Sequence, residues 1–179
     1  REFVTISRGT ADKHKTVIGS NCLLMAYVHI AHDCTIGNNC IFANAVQVAG
    51  HVVIEDWAII GGSSAVHQFV KVGAHVMVSG GSLVRKDVPP YTKAAREPLT
   101  YCGVNTVGLR RRGFTSEKIS EIQDTYRIIF LKGLNNSKAI DLVEKEIIPS
   151  EERNYIVDFI KSSERGVMKG FSTSSATFE

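Results

Sequence analysis

An aliphatic or aromatic residue recurs at every sixth position over a long stretch of the chain. The series runs Ile18, Leu24, Ile30, Ile36, Phe42, Val48, Ile54, Ile60, Val66, Val72, Val78 and Val84. Four positions after each comes a small or β-branched residue, from Cys22 and Val28 through Val76, Ser82 and Val88. A helix has no use for this period, because about 3.6 residues per turn would scatter those side chains around the cylinder, and a plain strand alternates every second residue. Short strands joined by turns remain. The pattern predicts a left-handed parallel β-helix whose three flat faces enclose a triangular prism, with 18 residues to a coil. Residues 17 to 88 then make four coils. Each period-six residue points inward and stacks on its counterpart one coil away, about 4.8 Å off.

Residues 8 to 16 are polar and break the register, so a loop projecting from the coil is expected there. After Val88 the period stops at Pro89-Pro90, and the remainder reads as helices. Thr115 or Ser116 caps an amphipathic segment carrying Ile119, Ile122, Tyr126, Ile129 and Phe130, which ends at Gly133. A second helix is expected from about Ser137 through Ile147, before Pro149, and a third from about Ser150 through Ile160. The reading is a prism over residues 1–90 and a helical domain over 91–179, with a loose stretch at 172–175.

Composition sharpens this picture at three points. Among 179 residues, 21 Lys and Arg stand against 18 Asp and Glu, too even a balance for the basic stripe that a nucleic acid demands. No apolar run approaches the ~20 residues that span a bilayer, and Arg1-Glu2-Phe3 opens no signal segment, so membrane insertion is not expected and a cytoplasmic location is. Only seven of residues 17 to 88 are Asp, Glu, Lys or Arg. That is few for three solvated faces, and it predicts that neighbouring copies cover part of the prism, most simply as a homotrimer. The four cysteines form no C-x-x-C pair and read as reduced, buried thiols.

Positions 18 apart lie one above another, which turns spacing into a site. His32, Gly50 and Gln68 form one column, with Asp33 beside the histidine. A neutral imidazole can take a proton from a hydroxyl, and a fixed N–H can stabilise the oxyanion formed when that hydroxyl attacks an acyl carbon. His32 and the Gly50 N–H supply both, with Asp33 to orient the ring. No Ser or Cys shares the column, so direct attack by an acceptor hydroxyl is favoured over an acyl-enzyme. His29, His51 and His67 gather on adjacent coils. Gly50 has a second reading, as a turn glycine at positive φ. His29, His32 and His51 also permit a zinc site, although Asp33 and Gln68 suit base orientation and substrate binding better. A further column, Ala26, Asn44, Gly62 and Gly80, leaves a groove beside Met77. Arg110-Arg111-Arg112 reads either as a solvated basic turn or as a phosphate-binding fork.

Several motifs together resemble one family: His29-Ile-Ala-His32-Asp33, Ala49-Gly50-His51, Ala65-Val66-His67-Gln68-Phe69, Asp87-Val-Pro-Pro-Tyr91, Gly103-Val-Asn105 and Leu109-Arg-Arg-Arg-Gly113-Phe114. The chain is similar over residues 1 to about 169 to bacterial UDP-N-acetylglucosamine 3-O-acyltransferase, which begins lipid A synthesis. The resemblance implies transfer of a 3-hydroxyacyl group from acyl carrier protein to the glucosamine 3-hydroxyl, in a cytoplasmic homotrimer with clefts between subunits and without a cofactor. It implies His32 as general base, Asp33 as its orienting carboxylate and Gly50 as oxyanion donor. His29, His51, His67, Gln68 and Met77 would hold sugar, pyrophosphate or acyl chain. Asn105, Arg111 and Arg112 would bind the nucleotide end, and Gly80 would admit a long acyl chain. Lys71, Arg85 and Lys86 are candidates to meet the acidic carrier protein. The family carries several coils before the point matching Arg1, so the chain is expected to lack them, together with a substrate-contacting lysine. Val107 stands where relatives often have an acidic residue. The alternatives are the related N-acyltransferase of the same pathway, against which the Leu109-to-Phe114 motif argues, and a non-enzymatic β-helix scaffold.

Overall fold

A computed structural model of the chain describes residues 1–170; the stretch at 172–175 lies outside the described residues. Two-residue strands, one per hexapeptide, stack into three parallel sheets. The first sheet holds Thr5–Ile6, His29–Ile30, Gln47–Val48, Ala65–Val66 and Leu83–Val84. The second holds Val17–Ile18, Thr35–Ile36, Val53–Ile54 and Lys71–Val72. The third begins with Leu23–Leu24, Ile41–Phe42, Ile59–Ile60 and Met77–Val78. Pairing runs at a spacing of 18, as in Val17 with Thr35 and Ile18 with Ile36. The second residue of nearly every strand points inward: Ile30, Phe42, Val48, Ile54, Ile60, Val66, Val72, Val78 and Val84 are all at most 2% exposed. Each contributes about 1.5–3 kcal/mol relative to an exposed side chain.

Three corners join the sheets, and each is turned by a residue at positive φ. Asp33, His51 and Phe69 form the tips of one corner at φ 60°, 60° and 64°. Asn39, Trp57 and His75 form the second, and Tyr27, Ala45, Ser63 and Gly81 the third. Side chains other than glycine rarely adopt this region. Here it is held by a repeated hydrogen bond, in which the tip N–H donates to the carbonyl 19 residues back: His51 to His32, Trp57 to Asn38, Phe69 to Gly50 and His75 to Asp56. The left-handed residue is therefore the one after Gly50, which removes the reading of Gly50 as a positive-φ turn glycine.

The first coil departs from the 18-residue rule. Thr5 pairs with His29, 24 residues on. Six additional residues are therefore accommodated before Val17, at the corner that Asp33 turns in the coil above.

The sheet continues past Pro90. Thr92–Ala95 joins the third sheet, with Met77 opposite Lys93, and Thr100–Val104 returns antiparallel to it, followed by Lys169–Gly170. These strands lie outside the hexapeptide register, so the periodicity does not reveal them. Four helices follow: α1 (Thr106–Arg111), α2 (Ser116–Leu131), α3 (Asn136–Glu146) and α4 (Glu151–Lys161). Thr115, Asn135 and Ser150 cap the last three through side-chain oxygens that accept the N–H of Lys118, Lys138 and Arg153. Their apolar faces, with Ile122, Tyr126, Val143 and Ile156 at most 1% exposed, form a second core with Tyr91 and Leu109. That core is tied to the prism at Tyr126, whose hydroxyl donates to the Pro90 carbonyl at 2.6 Å, and at Ser163, whose hydroxyl donates to Asp87 at 2.6 Å. All four cysteines are free; Cys34 and Cys40 are buried, whereas Cys22 and Cys102 are only partly covered, which corrects the expectation of four buried thiols. Among the described residues no helix is long and apolar enough to cross a membrane.

Candidate active site

The column of His32 and Gly50 is built as the spacing predicts. A β-carbon added to Gly50 would lie 2.7 Å from Cε1 and 2.8 Å from Nε2 of His32, so the imidazole rests directly on the glycine. Any other residue there would push the ring away. The Gly50 N–H takes no acceptor among the described residues, although Gly50 is buried in the chain. One corner over, the matching N–H of Asn38 is accepted by Asp56 at 2.7 Å. A buried donor left without a partner carries a desolvation cost and is suited to a partner supplied from outside.

His32 is 43% exposed along its side chain, while Asp33 beside it is fully buried. With its Nδ1 protonated, His32 donates to Asp33 Oδ2 at 2.9 Å, which leaves Nε2 as an acceptor toward solvent. Asp33 also accepts from Thr10, through the backbone N–H at 2.9 Å and the hydroxyl at 2.6 Å. Burial alone would raise its pKa, but the hydrogen bonds from Thr10 and His32 outweigh burial and hold the carboxyl well below the usual range. The carboxyl is thus held as an anion. His51 stands edge-on to His32, with centroids 5.2 Å apart, and stacks on Phe69 at 4.8 Å. Its Nε2 lies 3.7 Å from Asp33 Oδ2 and its Nδ1 3.4 Å from Asp12 Oδ2.

Of the other residues singled out from sequence, some join this corner and some do not. Gln68 and His67 are exposed one coil further along, with His67 Nδ1 donating to the Gln68 carbonyl at 3.1 Å. His29 lies on the adjoining strand and hydrogen-bonds Thr5 Oγ1 at 2.8 Å. Ligand atoms of His32, Asp33 and His51 all lie within 4.8 Å of one another. Among the described residues this trio is the one that could hold a cation; His29 of the expected zinc set is replaced in it by Asp33.

Asn105, Arg111 and Arg112 gather at the second corner instead. Asn105 is buried as the cap of α1, where its oxygen accepts from Gly108 N–H at 3.2 Å and its amide donates to the His75 carbonyl at 2.9 Å. The guanidinium of Arg112 lies 5.2 Å from the centre of the Trp57 ring and donates to His75 Nδ1 at 3.3 Å, while Arg111 is exposed. His75 is sandwiched by Trp57 and Tyr91, with Phe114 on its edge. Burial first, and then the positive charge of Arg112, lower its pKa to about 4. The resulting neutral ring can accept from the arginine. Met77 and Gly80 flank the third corner, where a β-carbon on Gly80 would stand 3.1 Å from the Gly62 carbonyl oxygen. The sequence-derived residues therefore occupy three corners of one chain. Thr10, Thr16, Asp12 and the Trp57–His75 stack escaped the sequence reading: the first three lie where the period is broken, and the stack depends on how α1 docks.

Lys71, Arg85 and Lys86 are partly committed within the chain. Lys71 Nζ donates to the Ser162 carbonyl at 3.3 Å, Arg85 pairs with Glu97 at 2.5 Å, and Lys86 Nζ donates to the Arg165 carbonyl at 2.9 Å.

Comparison with known proteins agrees with this architecture. A family model described as UDP N-acetylglucosamine O-acyltransferase, domain 2, matches residues 87–168, and the bacterial transferase hexapeptide model matches residues 15–50. The chain is 54% identical to the acyl-(acyl-carrier-protein)–UDP-N-acetylglucosamine O-acyltransferase of Aquifex aeolicus, over 94% of this chain and 65% of that protein. The solved UDP-N-acetylglucosamine acyltransferase of Bacteroides fragilis superposes with a TM-score of 0.87 at 50% identity, covering 90% of this chain and 63% of that one. That of Campylobacter jejuni superposes at 0.85 and 33% identity, covering 95% and 69%. The chain spans 66% of the length of several curated relatives that it matches. At this identity, coverage and structural agreement, the chain belongs to the UDP-N-acetylglucosamine O-acyltransferase family.

Proposed function

We propose that the His32 corner transfers a 3-hydroxyacyl group from acyl carrier protein to the 3-hydroxyl of UDP-N-acetylglucosamine. The observation that carries this reading is the imidazole held by a buried carboxylate and lying against Gly50, a buried residue whose N–H has no acceptor among the described residues. Nε2 of His32 takes the proton of the sugar hydroxyl as its oxygen attacks the acyl thioester carbon. Negative charge moves onto the carbonyl oxygen, where the Gly50 N–H meets it. Collapse breaks the C–S bond, and the carrier thiolate leaves with the proton from His32. Asp33 keeps the ring in one tautomer throughout and stabilises the imidazolium between the two transfers.

The placement of the remaining residues on separate corners supports a homotrimer. Arg111 and Arg112, at the C-terminal end of α1, suit a diphosphate, and Asn105 caps the opposite end of that helix and ties it to the His75 carbonyl. They serve a substrate at His32 if a neighbouring copy lends its second corner to the cleft. His29, His51, His67 and Gln68 line the His32 side of that cleft, and Met77 with Gly80 lines the acyl path, where the missing side chain leaves length for a long chain. Lys71, Arg85 and Lys86 remain candidates for the carrier's acidic surface.

The test is acyl transfer from 3-hydroxyacyl carrier protein to UDP-N-acetylglucosamine by full-length protein, wild type against His32→Ala. Loss of about 10²–10⁴-fold is expected, and an unchanged rate refutes the assignment of the base. The proximity of His32, Asp33 and His51 supports a second reading, a cation held by these three. Stoichiometric metal in the purified protein, with activity lost to a chelator and restored by zinc, would establish that reading instead.

A further inference from the structure

The loop that breaks the first coil has a specific relation to Asp33. From Asn39 to Gly81 every corner-tip N–H donates to a backbone carbonyl one coil back, such as Asn39 to Ser20 at 2.8 Å and Ser63 to Asn44 at 2.9 Å. Asp33 departs from this rule, because its N–H donates to the Thr16 hydroxyl at 2.9 Å. Its carboxylate is then clasped by Thr10: Oδ1 accepts the backbone N–H at 2.9 Å, and Oδ2 accepts the hydroxyl at 2.6 Å. The six additional residues of this coil thus replace an ordinary corner with one that grips Asp33 by backbone and side chain.

Two imidazoles compete for Oδ2 of that carboxylate, His32 at 2.9 Å and His51 at 3.7 Å. A carboxylate free to rotate about its last bond would divide its time between them. The two Thr10 donors, one to each oxygen, fix that rotation, and Asp12 offers His51 a carboxylate of its own at 3.4 Å. We infer that Thr10 is a positioning residue for acyl transfer, whose hydroxyl locks Asp33 onto His32 and away from His51, so that Nε2 of His32 is aimed at the acceptor hydroxyl. The inference rests on the reading of His32 as the base. Partners that orient a histidine from behind commonly contribute about 10–100-fold.

The test uses the full-length enzyme with Thr10→Val, Thr10→Ser, Asp33→Asn and the Thr10→Val/Asp33→Asn double variant. Thr10→Val is expected to lower kcat about 10-fold with KM for both substrates unchanged, and Thr10→Ser to return kcat to within about twofold. In the Asp33→Asn background the valine should cost less than about twofold more, because the carboxylate it acts through is gone. A full kcat in Thr10→Val, no rescue by serine, or an equal loss in the Asp33→Asn background overturns the inference. Should the valine variant fail to fold, Thr10→Ala, which keeps the backbone donor, carries the same expectations. The low-field proton resonance of His32 Nδ1–H supplies a readout independent of turnover. It should persist in Thr10→Ser and vanish in Thr10→Val; its persistence in the valine variant refutes the positioning role. An unchanged rate in His32→Ala would instead refute the base.

Discussion

Two corners of this prism each carry an imidazole set against another ring, yet they are built for opposite ends. At the first, His32 faces a buried carboxylate and keeps nearly half its side chain in solvent. At the second, His75 faces a guanidinium, is walled in by Trp57, Tyr91 and Phe114, and has its pKa lowered to about 4. The two stand differently in their turns, His32 just before the tip residue Asp33 and His75 itself a tip at φ 60°. Their neighbours decide the chemistry: an anion behind the ring supports a transient positive charge, whereas a cation and burial forbid one. The first histidine is fit to move a proton, and the second to hold an arginine in place.

Exchanging the losses should break the symmetry most sharply. His32→Ala is expected to reduce kcat by about 10²–10⁴-fold with little change in thermal stability, since the ring is half exposed. His75→Ala should change kcat less than about threefold but raise KM for the nucleotide and lower Tm, because it opens a gap in an aromatic stack. Steady-state kinetics and melting curves of the pair decide it. Gly50→Ala comes next. Its methyl would stand within 3 Å of two His32 ring atoms, so a kcat loss of about 100-fold is expected at nearly unchanged Tm. A smaller effect is expected at Arg112→Ala, where KM for the nucleotide should rise about 10-fold while kcat holds, and Arg112→Lys should recover little because a single ammonium cannot fork across a diphosphate.

The smallest effect concerns pH and stability. The His75 pKa is lowered from 6.5 to about 4 on folding, so between those values the unfolded chain binds a proton that the folded chain refuses. Stability should therefore fall as pH drops from 6.5 toward 4, and His75→Phe should flatten that part of the curve. The Asp33 carboxyl, held low by Thr10 and His32, acts in the same direction but in a more acid window, with its stability present above the ordinary carboxylate range and lost as pH falls below it. Chemical denaturation at a series of pH values separates the two windows.

The two corners also differ in how legible they were. The His32 corner follows from arithmetic: residues 32 and 50 differ by one coil, and only a glycine beneath the ring leaves room for it. The capped helices were equally plain, because Thr115 and Ser150 announce α2 and α4 and the apolar spacing fixes their buried faces. What the pattern hid is the six-residue excess of the first coil, since a broken period says where a loop is and nothing about which way Thr10 faces. The second corner was hidden for another reason. His75 is an ordinary hexapeptide residue until α1 brings Asn105 and Arg112 against it, and that docking is written in no short-range spacing. Strands such as Thr92–Ala95 were missed because they belong to the sheet without belonging to the repeat.

The 24-residue first coil shows how this architecture absorbs change. Adding one hexapeptide inside the stack would turn every later residue by one face of the triangle, carrying the Gly50 amide away from the His32 imidazole. Insertions of 18 would keep the faces aligned but displace levels along the axis. A hexapeptide extruded at a corner does neither, because rungs on both sides keep their phase. Such excursions are where a chain of this kind can gain new chemistry without rewriting the ladder that carries it.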